Sequence, residues 1–226
     1  MYKPVLALLA IVTCSFLSPG DNKTDDLVMK AAESQLPIFI SKMEPGSEKA
    51  YGFTENDDLD GCAVGKPFRM MTFNTDFYNS SKIDEEKNYI DIKNEWRVPV
   101  TIRDTNRTML TVDGNPGNYT ISSMGTPVLA RELQSKSKGF DETITFYLLQ
   151  VTPLLADFFV AERDNSFPEA QFIPLESALA AIPALSKDRQ PFYTLIEVEK
   201  MVKQEMATSN KTAPSTPKKD PKKQNK

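Results

Sequence analysis

A run of alternating residues between positions 96 and 103 constrains the fold of this chain more than any other segment. Its apolar members occupy every second position, namely Trp96, Val98, Val100 and Ile102. A period of two is the repeat of a β-strand with one buried face, whereas an α-helix repeats about every 3.6 residues. The sequence therefore predicts a strand here, and it places Trp96 in the core rather than on a sugar-binding surface.

Pro99 and the residues after this strand indicate how it pairs. Proline has no N–H to donate, so we expect an edge strand, or a strand in which position 99 is unpaired. Residues 104–106 favour a turn, and residues 108–112 return as the second arm of a hairpin. A connection this short favours antiparallel pairing. Arg97 and Arg103 fall on the other face of the strand, where paired surface charges are expected.

Weaker patterns predict the remaining elements. Strands are expected over residues 68–73, 143–151, 156–161 and 171–175, and helices over 24–38, 54–65, 121–134, 177–185 and 192–206. The last helix is expected to expose Glu197, Glu199, Lys200 and Lys203, and residues 76–94 to form a long loop. Together these elements indicate one α+β domain over residues 21–206, with an antiparallel sheet of about five strands and helices packed on one face.

The N-terminal segment has the order of parts found in a secretory signal. Lys3 supplies positive charge, residues 5–12 form an apolar run, and Cys14 follows soon after. The run is shorter than the roughly 20 apolar residues that span a bilayer. We therefore expect residues 1–20 to be a signal peptide. The expected location of the protein is the periplasm, the outer membrane surface or the extracellular space.

Cys14 leaves two interpretations open. Residues 11–14 resemble a lipobox, and acyl chains on Cys14 would then anchor the protein to a membrane. Alternatively, an ordinary signal is cleaved between residues 14 and 20 and Cys14 is discarded. Thr13 favours the second interpretation, because Gly, Ala or Ser usually precedes a lipobox cysteine. Both leave Cys62 without a disulfide partner, and we interpret Cys62 as a buried structural thiol.

The chain contains no histidine. This excludes Ser-His-Asp and Cys-His catalytic systems and the common zinc sites. Motifs for phosphate or dinucleotide binding and for a serine nucleophile are absent as well. Residues 56–61 match the first half of a calcium-binding loop, but Pro67 stands where a bidentate glutamate would complete it. The sequence therefore predicts no catalytic residue, no cofactor site and no metal site.

Carboxylates are plentiful, and two of them could still meet in space as they do in glycosidases. Asp157 is the candidate with the most apolar neighbours, because it directly precedes two phenylalanines. The alternation of this segment nevertheless predicts that Asp157 points away from a sheet edge into water.

Charge is distributed unevenly along the chain. The whole chain carries −4, of which residues 207–226 contribute +5 and Lys3 contributes +1, so residues 21–206 carry −10. The C-terminal segment is rich in lysine and proline and has no large apolar residue, which predicts a disordered tail. It is either a solubilising end or an electrostatic tether. The acidic domain argues against a nucleic acid partner.

Four short strings resemble small exported bacterial proteins, some of them lipidated, to which no activity is assigned. They are Tyr51-Gly52-Phe53, Gly65-Lys66-Pro67-Phe68, Trp96-Arg97-Val98-Pro99-Val100 and Leu129-Ala130-Arg131-Glu132-Leu133. The resemblance covers residues 30–180. Because these strings consist of turn and core residues, the resemblance implies a shared fold and carries over no catalytic residue.

These observations favour a non-catalytic cell-envelope protein that binds another protein, of unknown identity, or an envelope polymer. One alternative is an exported chaperone-like or inhibitory binder that uses the mixed polar and apolar segment 74–95. Another is a carboxylate-dependent hydrolase of cell-wall or dietary glycans. That activity would require an exposed groove in which two acidic side chains face each other.

Overall fold

The computed structural model describes residues 22–141, 143–163, 167–188 and 190–212 of the 226-residue chain. The predicted signal peptide, with Cys14, and residues 213–226 of the predicted tail lie outside this part. Within it, no helix has both the length and the apolar composition that crossing a membrane requires.

Eight β-strands of the described chain form one mixed sheet. In chain order they are β1 (Ala63–Val64), β2 (Phe68–Phe73), β3 (Ile90–Ile102), β4 (Thr105–Asn115), β5 (Asn118–Gly125), β6 (Thr145–Val151), β7 (Ala156–Glu162) and β8 (Gln171–Pro174). The order across the sheet is β5-β4-β3-β2-β6-β7-β8, and β1 pairs with β3. β2 and β6 run parallel, and the other neighbours are antiparallel.

The structure confirms the α+β class but corrects the predicted sheet. The sheet has eight strands instead of about five. Its pairing is mixed because β2 and β6 run parallel. Parallel strands need a long connection, and three strands and α-helices provide it between β2 and β6 along the chain. Two strands are absent from the prediction. β1 is only two residues long, and β5 begins the segment that was expected to be a helix over residues 121–134. A bulge at Ser122 interrupts the alternation of β5, since Ile121 pairs with Val112 while Ser123 pairs with Thr111.

Six α-helices of the described chain cover both faces of the sheet, so the predicted one-sided packing is wrong. They are α1 (Asn22–Ser41), α2 (Thr75–Asn79), α3 (Pro127–Ser137), α4 (Glu176–Ala181), α5 (Pro183–Asp188) and α6 (Leu195–Thr212). Leu110 of β4 shares a core cluster with α1, whereas its neighbour Met109 shares one with α3. Because successive strand residues point to opposite faces, α1 and α3 lie on opposite sides. The other four helices cover the α1 side over β2, β6, β7 and β8.

The predicted strand around Trp96 is confirmed as part of β3, with Trp96 only 1% exposed. It is an interior strand, so the expected edge position is wrong. The alternative of an unpaired position 99 holds on one side only, since Pro99 is in register with Met109 of β4 on the other. Pro99 lies where pairing with β2 has ended and pairing with β1 begins, and its carbonyl oxygen accepts a 2.8 Å hydrogen bond from the Gly65 N–H. The proline nitrogen faces this same gap and needs no acceptor.

The predicted hairpin is also confirmed, and α3 holds it in place. Arg103 and Asp104 form a two-residue turn with φ values of 49° and 60° between β3 and β4. The Gln134 side chain of α3 donates to the Asp104 carbonyl oxygen at 2.6 Å and accepts from the Asn106 N–H at 3.1 Å. This contact fixes one end of α3 on the sheet.

The helix predicted over residues 54–65 does not form. The segment contains a 3₁₀ turn at Leu59–Gly61, followed by β1. Asp57 accepts a 2.7 Å hydrogen bond from the Thr54 N–H and another from Arg107, also at 2.7 Å. The Asp58 side chain accepts a 3.2 Å hydrogen bond from the Asp60 N–H, and a local bond of this kind gives the backbone an alternative to helix formation.

Both outermost strands have covered edges. On β5, the Gln35 side chain of α1 donates to the Tyr119 carbonyl oxygen and accepts from the Ile121 N–H, each at 3.0 Å. On β8, Phe172 and Tyr193 exchange two backbone hydrogen bonds of 2.9 Å. Unpaired edge groups promote association with other chains, so these contacts favour a monomeric sheet.

Candidate functional site

Helix α6 contains a buried carboxylate that the sequence was expected to expose. Glu199 is only 4% exposed, because it lies beside Val198 and Val202 on the stripe that packs against the sheet. The predicted solvent position is therefore wrong for Glu199 but correct for Glu197 and Lys200. The spacing of residues along the helix indicates that Glu199 is buried, because positions 195, 198, 199, 202 and 206 follow the i, i+3, i+4, i+7 pattern of a buried face.

Glu199 lines a groove of ≈ 490 Å³, here called the α6 groove. The groove lies between α6, the segment at residues 85–88 and the 3₁₀ turn at Phe167–Glu169. Its apolar lining consists of Phe167, Pro168, Leu195 and Ile196, and its polar lining of Glu85, Glu86, Lys87, Asn88 and Glu199. These three segments are far apart in the sequence, and only the fold brings them together.

The Glu199 carboxyl group has no partner in the described part of the chain, where it makes neither a hydrogen bond nor a close ion pair. Burial raises its pKa to about 7, the nearby Glu85 carboxylate acts in the same direction, and Lys200 opposes it. Lys200 instead binds Glu85 at 3.1 Å, with both side chains largely exposed. The groove thus contains an acid, Glu199, that is largely withdrawn from water, and the neighbouring cation Lys200 is paired with Glu85 instead.

Lys203 stabilises the wall that faces α6. Contrary to its predicted exposure, its half-buried ammonium group donates to the carbonyl oxygens of Phe77 and, at 2.9 Å, of Ser80. These carbonyls end α2, from which the chain continues to residues 85–88. Burial lowers the pKa of Lys203. Farther along, the Asp84 N–H donates to the Tyr89 hydroxyl at 3.2 Å, so the segment is fixed at both ends.

A half-buried carboxylate with a raised pKa, Asp25, lies at the first turn of α1. Burial raises the pKa of Asp25 to about 6, while Trp96, Lys66 and Arg69 act in the opposite direction. Arg69 of β2 pairs in register with Trp96 on one side and Tyr147 on the other, and its guanidinium lies 5.2 Å from the Trp96 ring. This polar row separates the core under α1 from the core under α6.

The other sequence candidates are dispersed. Asp157 lies on the interior strand β7 instead of a sheet edge, and it accepts a 3.2 Å hydrogen bond from the Ser177 hydroxyl. Arg97 pairs with Glu95 at 2.9 Å, while Arg103 occupies the hairpin turn. The two arginines therefore form no common anion site.

Cys62 is half-buried in extended backbone rather than in a helix. Burial and three neighbouring aspartates raise its pKa to about 11, which leaves little of the nucleophilic thiolate at neutral pH. The aspartates of the incomplete calcium motif belong to turns, and the described residues contain no cluster of His, Cys, Asp and Glu suited to a metal ion. Neither feature provides a site.

The segment 74–95, on which the chaperone-like alternative depends, is only partly a loop. It contains α2 and the start of β3, and the large residues Phe77 and Tyr89 are buried in the core. Its contribution to a surface is the polar stretch 85–88 at the α6 groove.

Comparison with known proteins returns no match: no family model, no curated protein and no solved structure matches this chain. The resemblance to small exported bacterial proteins is therefore untested and stays a hypothesis. Inference about function depends on the chemistry of the α6 groove.

Proposed function

We propose that this protein is an exported, non-catalytic component of the cell envelope, and that its α6 groove binds a lysine- or arginine-bearing segment of a partner protein. The observation that supports this proposal is the unpartnered Glu199 carboxyl group between apolar walls. Export is supported by the N-terminal sequence, with its charged start and short apolar run.

The chemistry of the groove favours a cation carried on an apolar stem. A buried carboxylate without a partner is costly, and an ammonium or guanidinium group supplies both the charge and the hydrogen bonds that it lacks. Leu195 and Ile196 can contact the methylene groups of such a side chain, and Phe167 contributes an aromatic ring to the same lining. The −10 charge of residues 21–206 also attracts a basic segment and repels an anionic polymer.

Binding of a defined peptide tests this function. The probe is a fluorescently labelled peptide with one central lysine flanked by leucine and alanine, compared with the same peptide carrying norleucine instead of lysine. We expect only the lysine peptide to bind, and Glu199→Gln to weaken binding about tenfold, the equivalent of 1.4 kcal/mol. Glu205→Gln removes the same charge from α6 outside the groove and should bind normally. Equal affinity of Glu199→Gln and the wild type would reject the groove as the site.

Export is tested separately on protein purified from its own host. We expect the intact mass to show a chain that begins at an acylated Cys14 or, unmodified, between residues 15 and 21. Cys14→Ser distinguishes the two, because it abolishes membrane association only if Cys14 is acylated. A mature chain that retains Met1 would contradict export.

A second candidate is the carboxylate-dependent glycan hydrolase, which one observation favours. Glu199 has a pKa of about 7 and lies near Glu85, and an acid with a raised pKa beside a carboxylate is the arrangement of a glycosidase. We rank it second because Glu85 is bound to Lys200. Turnover of a cell-wall or dietary glycan that is lost in both Glu199→Gln and Glu85→Gln would establish it. No turnover across such a panel would exclude those substrates.

A further inference from the structure

The basic C-terminal segment of this chain has the composition that the α6 groove would bind. Residues 213–226 directly follow α6, the helix whose first half lines the groove. They contain five of the chain's lysines, at positions 218, 219, 222, 223 and 226, and a single acidic residue, Asp220. The ligand chemistry proposed for a partner is therefore present in the same polypeptide.

The length of this segment allows it to return to Glu199. Thirteen residues of helix separate Glu199 from Thr212, a distance of about 20 Å at 1.5 Å per residue. An extended chain covers at most about 3.5 Å per residue, so Lys218 is about 20 Å of chain from the helix end and Lys222 about 35 Å. The two lysine pairs at 218–219 and 222–223 therefore span the range of lengths that the return requires.

We propose that residues 213–226 fold back along α6 and place a lysine of one of these pairs against Glu199, so that the chain occupies its own groove and competes with its partner. This inference rests on the function proposed above and adds its regulation. Glu85 and Glu86 line the same groove as Glu199, and their charge favours the second lysine of the pair.

Tethering makes even a weak contact effective. A segment joined to its site by a short flexible linker has an effective concentration of about 1 mM. A lysine contact with an intrinsic Kd near that value is therefore about half occupied in the intact chain. An external partner must displace it, and the apparent Kd of that partner is raised by the reciprocal of the unoccupied fraction, about twofold at half occupancy.

Two measurements on the full-length protein test this proposal. In the first, Lys218, Lys219, Lys222 and Lys223 are all replaced by Gln, and the affinity for the lysine probe peptide is compared with that of the wild type. We expect the variant to bind about two- to tenfold more tightly, because its groove is no longer occupied in cis. A matched control replaces Lys23, Lys30, Lys42 and Lys49 by Gln, which removes the same charge from another region and should not increase affinity.

The second measurement locates the lysines directly. A zero-length carbodiimide joins a lysine amine only to a carboxyl group in contact with it. We expect intramolecular links from residues 218–223 to Glu199, Glu85 or Glu86, and their loss in the four-lysine variant. Links distributed evenly over surface carboxylates would overturn the proposal.

The outcomes separate this inference from the proposed function. If the wild type and the four-lysine variant bind the probe equally, the segment does not occupy the groove, although the groove remains a cation site. If neither protein binds the probe, the groove is not a cation site, and both proposals fail.

Discussion

The ammonium group of Lys203 lies 4.4 Å from the centre of the Phe77 ring and donates a hydrogen bond to the Phe77 carbonyl oxygen. This contact joins α6, which carries Glu199, to the end of α2, from which the other wall of the groove extends. A cation at the carboxyl end of a helix also satisfies carbonyl groups that have no partner within the helix. One lysine thus connects the stability of the fold to the shape of the groove.

Replacing this lysine should affect both properties. We expect Lys203→Met to lower the free energy of unfolding by about 1.5–3 kcal/mol, because two partly buried carbonyl groups lose a charged donor. Urea denaturation measures this change. Lys200→Met is the control, since its exposed ion pair with Glu85 contributes about 0–1 kcal/mol. Equal losses in the two variants would show that the Lys203 contacts are not special.

Gln35 provides a second test, at the opposite edge of the sheet. Gln35→Ala leaves the Tyr119 carbonyl and the Ile121 N–H on β5 without their side-chain partner, and we expect a loss of about 1–2 kcal/mol. The uncovered edge should also cause self-association that increases with concentration, measured by sedimentation velocity. Ser34→Ala, an adjacent exposed position, should change neither property. A monomeric and fully stable Gln35→Ala protein would contradict this role.

The elements that the sequence predicted correctly are those whose pattern is complete within a few residues. The alternation around Trp96 and the apolar runs of β6 and β7 each specify a strand without reference to other segments. β5 was missed because its bulge at Ser122 shifts the alternation by one residue. The helix expected over residues 54–65 was wrong because the Asp58 side chain binds the Asp60 N–H in a local turn, a competition that composition does not reveal.

The α6 groove could be predicted only in part. The helical spacing of α6 predicts the burial of Glu199, since position 199 lies one turn after Leu195 and beside Val202 on the apolar stripe. The rest of the groove depends on where residues 85–88 and the Phe167 turn lie in space, and no local pattern specifies that. The interior position of β3, despite Pro99, likewise depends on the gap between β1 and β2.

Asp25 should make the stability of the fold depend on pH. Burial raises its folded-state pKa from 3.8 to about 6, so the folded state binds the proton more tightly than the unfolded state does. The resulting stabilisation is complete below about pH 4 and is lost as the pH rises through 6. The charged and titratable groups around Asp25 are Asp26, Lys66, Arg69, Tyr119 and Tyr147.

A neutral substitute tests this dependence. Asp25→Asn removes the cost of ionising this half-buried group, and we expect it to be about 1–3 kcal/mol more stable than the wild type near pH 8, with a smaller difference near pH 4. Urea denaturation across this range measures both values. Asp26→Asn is the control, because Asp26 is the next residue in the chain and its carboxyl group is exposed. A constant difference between Asp25→Asn and the wild type at all pH values would show that Asp25 does not titrate in this range.

Binding in the α6 groove should depend on pH in the opposite direction. Burial raises the pKa of Glu199 to about 7, so the carboxylate that attracts a cation is mostly neutral at pH 6 and mostly ionised at pH 8, while the lysine of the probe stays charged. We expect the lysine peptide to bind about tenfold more tightly at pH 8 than at pH 6, as measured by fluorescence anisotropy. Glu199→Gln should bind weakly at both values, and Glu205→Gln should retain the full dependence. If the dependence persists in Glu199→Gln, another group controls binding and the assignment of Glu199 is wrong.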